Sequence, residues 1–119
     1  GGGLRLGRIG VTGLLADAAG RLWIASECAG LRSYAGEALI EQRWRVLPNS
    51  AGEEPCVQAL GLDDLDRLWI GTDARVARAG PEGFDPPGAV CTIDGKAVAL
   101  ERDGAGGMWA LSEHGALWH

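Results

Sequence analysis

The chain is poor in most of what marks a specialised function. Its 119 residues hold one Phe, one Tyr, one Met and two His. No run of 18 apolar residues occurs, so the sequence offers no membrane-spanning segment. Basic residues are few: 11 Lys and Arg stand against 16 Asp and Glu, giving a net charge of −5. Non-specific binding to nucleic acid or to anionic membranes needs a concentrated positive surface, and this balance argues against both. The arginines Arg5, Arg8, Arg32, Arg43, Arg45, Arg75 and Arg78 occur singly. Three cysteines, Cys28, Cys56 and Cys91, are an odd number without a metal-type pair. At most one internal disulfide can form, and the simplest expectation is three free thiols. Sustained helical periodicity is absent too, and the Ala/Glu-rich stretch from Gly36 to Gln42 is too short to press the case for a helix. The start, Gly1-Gly2-Gly3-Leu4, has no initiator Met and no apolar leader core, which suits a processed chain or an excised piece of a longer one.

What the chain does have is glycine, 20 residues of it, and a three-fold echo. The segments are Gly20-Arg21-Leu22-Trp23-Ile24-Ala25-Ser26, Asp66-Arg67-Leu68-Trp69-Ile70-Gly71-Thr72 and Gly106-Gly107-Met108-Trp109-Ala110-Leu111-Ser112. The tryptophans are 46 and 40 residues apart, a period typical of repeated all-β units. Six residues before each lies an acidic residue: Asp17, Asp63 and Asp103. An Asp at a turn start accepts hydrogen bonds from backbone N–H groups two residues on, so these three are read as turn caps and not as a metal site. Calcium wants six to eight oxygen ligands, and one carboxylate per repeat is a thin shell.

Short apolar runs precede and follow each tryptophan. Val11 to Leu14, Val57 to Leu60 and Ala97 to Leu100 come before it; Gly30 to Tyr34, Val76 to Arg78 and Gly115 to Trp118 come after. A fourth run, Arg43 to Leu47 or Ala89 to Ile93, closes the first two units. Runs of this kind separated by Asp/Gly turns predict antiparallel hairpins. A four-stranded sheet every 40 to 46 residues is the unit of a β-propeller. The fold expected is therefore all-β: three four-stranded blade-equivalents, with repeat units at about 4–34, 43–79 and 89–118. Trp23, Trp69 and Trp109 are expected between blades; Trp44 and Trp118 lie outside that position and are expected to be partly exposed.

These residues resemble the two-component regulator propeller repeat. Its pattern runs Asp, two variable residues, Gly, one variable residue, Leu-Trp-Ile-Gly-Thr, a short turn and Gly-Leu. Leu68-Trp69-Ile70-Gly71-Thr72 matches that core fully, although Asp66 stands in the place of the turn glycine. The first repeat carries Ala25-Ser26 for Gly-Thr, and the third Leu111-Ser112. The resemblance implies a multi-bladed propeller from the periplasmic or extracellular sensing part of a bacterial signalling protein. It leaves enzyme activity open, because some propellers in the wider group are lyases or hydrolases.

Propellers usually need four to eight blades, so three cannot close alone. If Leu4-Arg5-Leu6 forms an outermost strand, the last blade lacks its own. Two copies would make six blades and satisfy both open ends, so a homodimer is expected. A nine-bladed trimer, a fragment of a larger sensor propeller and an engineered assembly module are the other readings. The functional expectation is a non-catalytic module that binds an unidentified protein or small molecule without a cofactor. The loops Pro48 to Pro55 and Gly80 to Gly88 are candidate contact surfaces. The alternative from another class is a propeller lyase or hydrolase using His114, beside Glu113, as its acid or base. No phosphate loop is present: Gly104-Ala105-Gly106-Gly107 lacks a following Lys-Ser/Thr and a helix.

Overall fold

The computed structural model describes residues 11–26, 30–35, 40–44, 56–80, 83–84 and 87–119. They form three antiparallel sheets in chain order. The first comprises β1 (Val11–Ala16), β2 (Leu22–Ser26), β3 (Gly30–Ala35) and β4 (Ile40–Trp44). The second comprises β5 (Ala59–Leu62), β6 (Leu68–Gly71), β7 (Arg75–Arg78) and β8 (Ala89–Thr92). The third has β9 (Ala97–Arg102), β10 (Met108–Ser112) and β11 (Leu117–Trp118). It is three-stranded among the described residues, as expected for a last blade without its outermost strand. Every neighbouring strand in a sheet is also a neighbour in sequence, so each sheet is a meander. No helix among the described residues is long and apolar enough to cross a membrane.

Two expectations change. The fourth strand of the first sheet begins at Ile40 and not at Arg43, and pairs Trp44 with Leu31 and Ile40 with Ala35. Gly36 to Gln42 therefore contributes strand at its end, because Glu41 and Gln42 lie in register with Tyr34 and Ser33. Residues 45–47 lie outside the described residues, as do the expected strand Leu4-Arg5-Leu6 and the loop Pro48 to Pro55. The thiols also differ. Cys56 is disulfide-bonded, its partner lying outside the described residues, while Cys91 is free and exposed.

The sheets stack face to face. Between the first and second lies a core that includes Trp23, Leu31, Leu68, Ile70 and Phe84; between the second and third lies a smaller one of Val76, Ile93, Ala97 and Ala110. Strand alternation explains the division, since one face of β6 sends Leu68 and Ile70 toward the first sheet while the other turns Trp69 to the third. Gly71 is required by the approach of the third sheet, because a Cβ placed there would collide with that of Ala97. Packing alternate faces in this way joins the three sheets into one body.

Candidate functional site

The first two repeats open with the same device. In the first, Asp17 Oδ1 accepts the Arg21 backbone N–H at 2.9 Å and Oδ2 accepts Trp23 Nε1–H at 3.0 Å. In the second, Asp63 Oδ1 accepts the N–H groups of Leu65 and Arg67, both at 2.9 Å. Its Oδ2 accepts Arg67 Nε–H at 2.7 Å and Trp69 Nε1–H at 2.9 Å. Burial pulls the Asp63 carboxyl upward, but these donors outweigh it and hold the group below the ordinary carboxylate range. The carboxylates thus do more than cap a turn: they fix the indole six residues on. The spacing of six was the signal for this, because the turn folds residue i+6 back across the carboxylate.

The third repeat departs. Asp103 Oδ1 still accepts from Ala105 and Gly107, at 2.7 and 2.9 Å. Its Oδ2 lies 2.5 Å from His119 Nε2, and the His119 ring stacks on Trp109 with centroids 4.2 Å apart. A carboxylate only accepts, so the imidazole is the donor. The His119 bond, followed by the two backbone N–H groups, brings Asp103 down to about 2.

Exposure of the three tryptophans is graded. Trp23 is buried at 5%, Trp69 is half-buried against the third sheet, and Trp109 is 37% exposed. Each indole turns toward the following sheet, and nothing described follows the third. Of the other two, Trp44 is half-buried and Trp118 is exposed.

Two clefts mark the borders between sheets. The first, about 270 Å³, lies between sheets one and two beside Trp23, Trp44 and Phe84. Arg21 sits over both indoles, 5.5 and 5.8 Å from their centroids. The second, about 620 Å³, lies between sheets two and three. Its walls include Trp69, Val76, Val90, Cys91, Met108 and Trp118, and Asp103 and His119 stand among them as polar groups. This size and apolar lining with a few polar groups is typical of ligand pockets. Trp118 is held by Asp94, its Nε1 donating to Oδ1 at 3.2 Å. A hydrogen bond from Ser112 is the largest influence on the Asp94 carboxyl and, with that from Trp118, holds it below its ordinary value against the opposing effect of burial.

His114 lies in the turn between β10 and β11, 64% exposed, with Nε2 at 3.5 Å from Glu113 Oε1. It is not among the described residues lining either cleft, nor is Cys56. Among the described residues no three His, Cys, Asp or Glu side chains gather as a metal site. The residues that sequence reasoning did not single out as a group are those of the second cleft. They come from β6, β7, β8 and β10, from the turn after β9 and from the last two residues, and their union is a product of stacking with no linear signature.

No protein-family model matches the chain, and no curated protein matches it. Solved structures do. One is the extracellular domain of the one component system BT4673 from B. thetaiotaomicron: TM-score 0.64, 16% identity, 92% of this chain and 16% of that chain covered. Another, with the same values, describes that domain as belonging to a hybrid two component system. The likeness is one of fold, and the chain spans about a sixth of the length of the structures it matches.

Proposed function

We propose that the chain is a non-catalytic binding module of consecutive β-propeller blades, and that two copies close into a six-bladed ring. The observation carrying this is the open outer face of the third sheet. Trp109, Leu111 and Leu117 are 37%, 37% and 63% exposed there. Their register counterparts in the first sheet, Trp23, Ala25 and Leu31, are buried against a following sheet. At the other end of the stack Leu14 is 64% exposed, although Leu60 and Leu100, its counterparts in the later repeats, pack on the cores. Apolar sheet faces of this kind are covered in stable propellers, and a second copy covers both at once.

The extracellular domains with the same fold support a place in the sensing part of a signalling protein, outside the cytoplasm. The disulfide at Cys56 fits an oxidising compartment. No specific observation favours the lyase or hydrolase reading, in which His114 and Glu113 would act. Solution mass tests the assembly: the expected species has twice the 12.4 kDa of the chain, and Leu117→Asp shifts it to monomer. A folded, monodisperse monomer of the unaltered chain would overturn the six-bladed dimer.

A further inference from the structure

The third repeat lacks what the first two keep beside their carboxylates. Two residues before the tryptophan stand Arg21 and Arg67, and Gly107 takes that place in the third. Arg67 Nε donates to Asp63 at 2.7 Å. Arg21 shares the first cleft with Asp17, its guanidinium over the Trp23 indole. A Cβ at Gly107 would lie 2.5 Å from Asp103 Oδ2 and 3.3 Å from His119 Nε2. His119 therefore fills the space in which an arginine side chain would start.

The imidazole also takes the seat of a second cation. Arg78 lies opposite Trp69, its guanidinium 5.7 Å from that ring's centroid. β11 pairs Leu117 with Leu111 and Trp118 with Ala110, so the next position along it sets His119 opposite Trp109. There His119 stacks on the indole and reaches Asp103 at once. Arginine is charged at every working pH, whereas an imidazole gains or loses its charge between about pH 5 and 8. Asp103, brought down to about 2, stays ionised throughout that range.

The neighbouring groups do not replace this cation. Glu101, in register with Trp109 on β9, brings a second carboxylate to the same face. Asp94, before β9, holds the adjoining Trp118, and Cys91 of β8 is a thiol on the second cleft. From the turn between β5 and β6, Asp64 and Arg67 meet the backbone of Gly106, with Arg67 Nε on Asp63 and Arg102 near Asp64. Among the described residues His119 is the basic side chain that reaches Asp103. Where a following sheet covers the second repeat, Asp63 is left 2% exposed with Arg67 bonded to it. A second copy on the third sheet removes water from Asp103 in the same way. A buried carboxylate is tolerated beside a hydrogen-bonded cation and costly without one.

We propose that docking of a second copy on the outer face of the third sheet is driven by protonation of His119, so that acid strengthens the assembly. The inference rests on the two-copy reading given above and adds its control. A ring of two copies has two such seams, and each takes up a proton where His119 was neutral. Linkage then makes protons promote the docking that binds them.

The dissociation constant of the full chain, measured by sedimentation equilibrium between pH 5.5 and 8, tests this. It is expected to fall at least about tenfold from pH 8 to pH 5.5. His119→Arg should keep the tight value at both ends of the range, and His119→Gln the weak value at both. His114→Gln, at the other histidine, and Glu101→Gln should retain the full change. A dimer whose constant does not change with pH would overturn this inference and leave the ring standing. A change that survives His119→Gln, or vanishes in His114→Gln, would do the same. A monomer at every pH would overturn the ring and this inference with it.

Discussion

Three aspartates at one repeat position should respond very differently to removal. Asp63 is 2% exposed and accepts four hydrogen bonds. In Asp63→Ala the Leu65 N–H turns to water, because that residue is at the exposed tip of the turn. The Arg67 guanidinium, 34% exposed, is also rehydrated in part. The Trp69 Nε1–H, on an indole packed against the third sheet, and the part-buried Arg67 N–H lose their acceptor. Each buried orphan costs about 1–3 kcal/mol, so the substitution is expected to destabilise the fold by about 3–5 kcal/mol. A domain of this size has about 5–15 kcal/mol in all, so the loss is large.

Among the described residues the Asp17 carboxylate accepts only the Arg21 N–H and the Trp23 indole, and Asp17→Ala is expected to cost about 2 kcal/mol. Asp103 holds no indole; its donors are an exposed turn and a half-exposed His119, and Asp103→Ala has the smallest effect of the three. Urea unfolding followed by circular dichroism gives the order, with unchanged slopes showing that the native state is intact. The indole N–H resonance of Trp69 should move upfield in Asp63→Ala, and that of Trp109 should not move in the same way in Asp103→Ala. Equal losses at Asp17, Asp63 and Asp103 would refute the reasoning, since they would mean that turn capping alone matters.

Three further outcomes follow from the same geometry. Asp66 has φ of 60°, where Gly20 and Gly106 occupy the same turn position, yet its carboxylate accepts the Ala18 N–H of the first sheet at 3.1 and 3.2 Å. Asp66→Gly should therefore be nearly neutral in urea unfolding, strain relief offsetting the lost clasp, whereas Asp66→Ala keeps the strain and should cost about 1–2 kcal/mol. Gly71→Ala drives a methyl group into Ala97 and should cost about 1–3 kcal/mol, while Gly13→Ala meets the Leu60 side chain, its Cγ at 3.0 Å, less closely and should cost less, as melting temperatures will register. Asp63 and Asp103 both have folded pKa values below their ordinary value of 3.8. Their contribution is present above that value and lost as pH falls through the folded values, so the urea midpoint should hold from neutral pH down to about 4 and fall toward about 2.

The repeat made the meander legible because its signals are local. Asp at a turn, a positive-φ residue three later and Trp three beyond that lie within one hairpin, where sequence distance and spatial distance agree. Asp66 in the place of glycine was visible as an anomaly, and the structure gives it a purpose in the bond from the Ala18 N–H. The start of β4 at Ile40 was missed because Ile40-Glu41-Gln42 lacks β-branched and aromatic density, and only pairing with β3 makes it a strand. The equivalence of Cys91 and Trp44 was also hidden. The loops before the two outer strands differ in length, so the match exists only in the register with Leu31 and Val76.

The same reasoning explains why the tryptophans, alike in sequence, end in three environments. Strand alternation decides which face an indole takes, and that much is encoded within the repeat. Whether the face is covered depends on the next sheet, which the repeat does not specify. Trp23 packs with Leu68 and Phe84 and is sealed; Trp69 borders the cleft between the second and third sheets; Trp109 meets His119. The gradient from Trp23 to Trp109 therefore runs from a sealed indole to an open one along the chain. The first border packs Trp23 against Trp44 within the main core, whereas the second border and the outer face of the third sheet leave aromatic surface uncovered among the described residues.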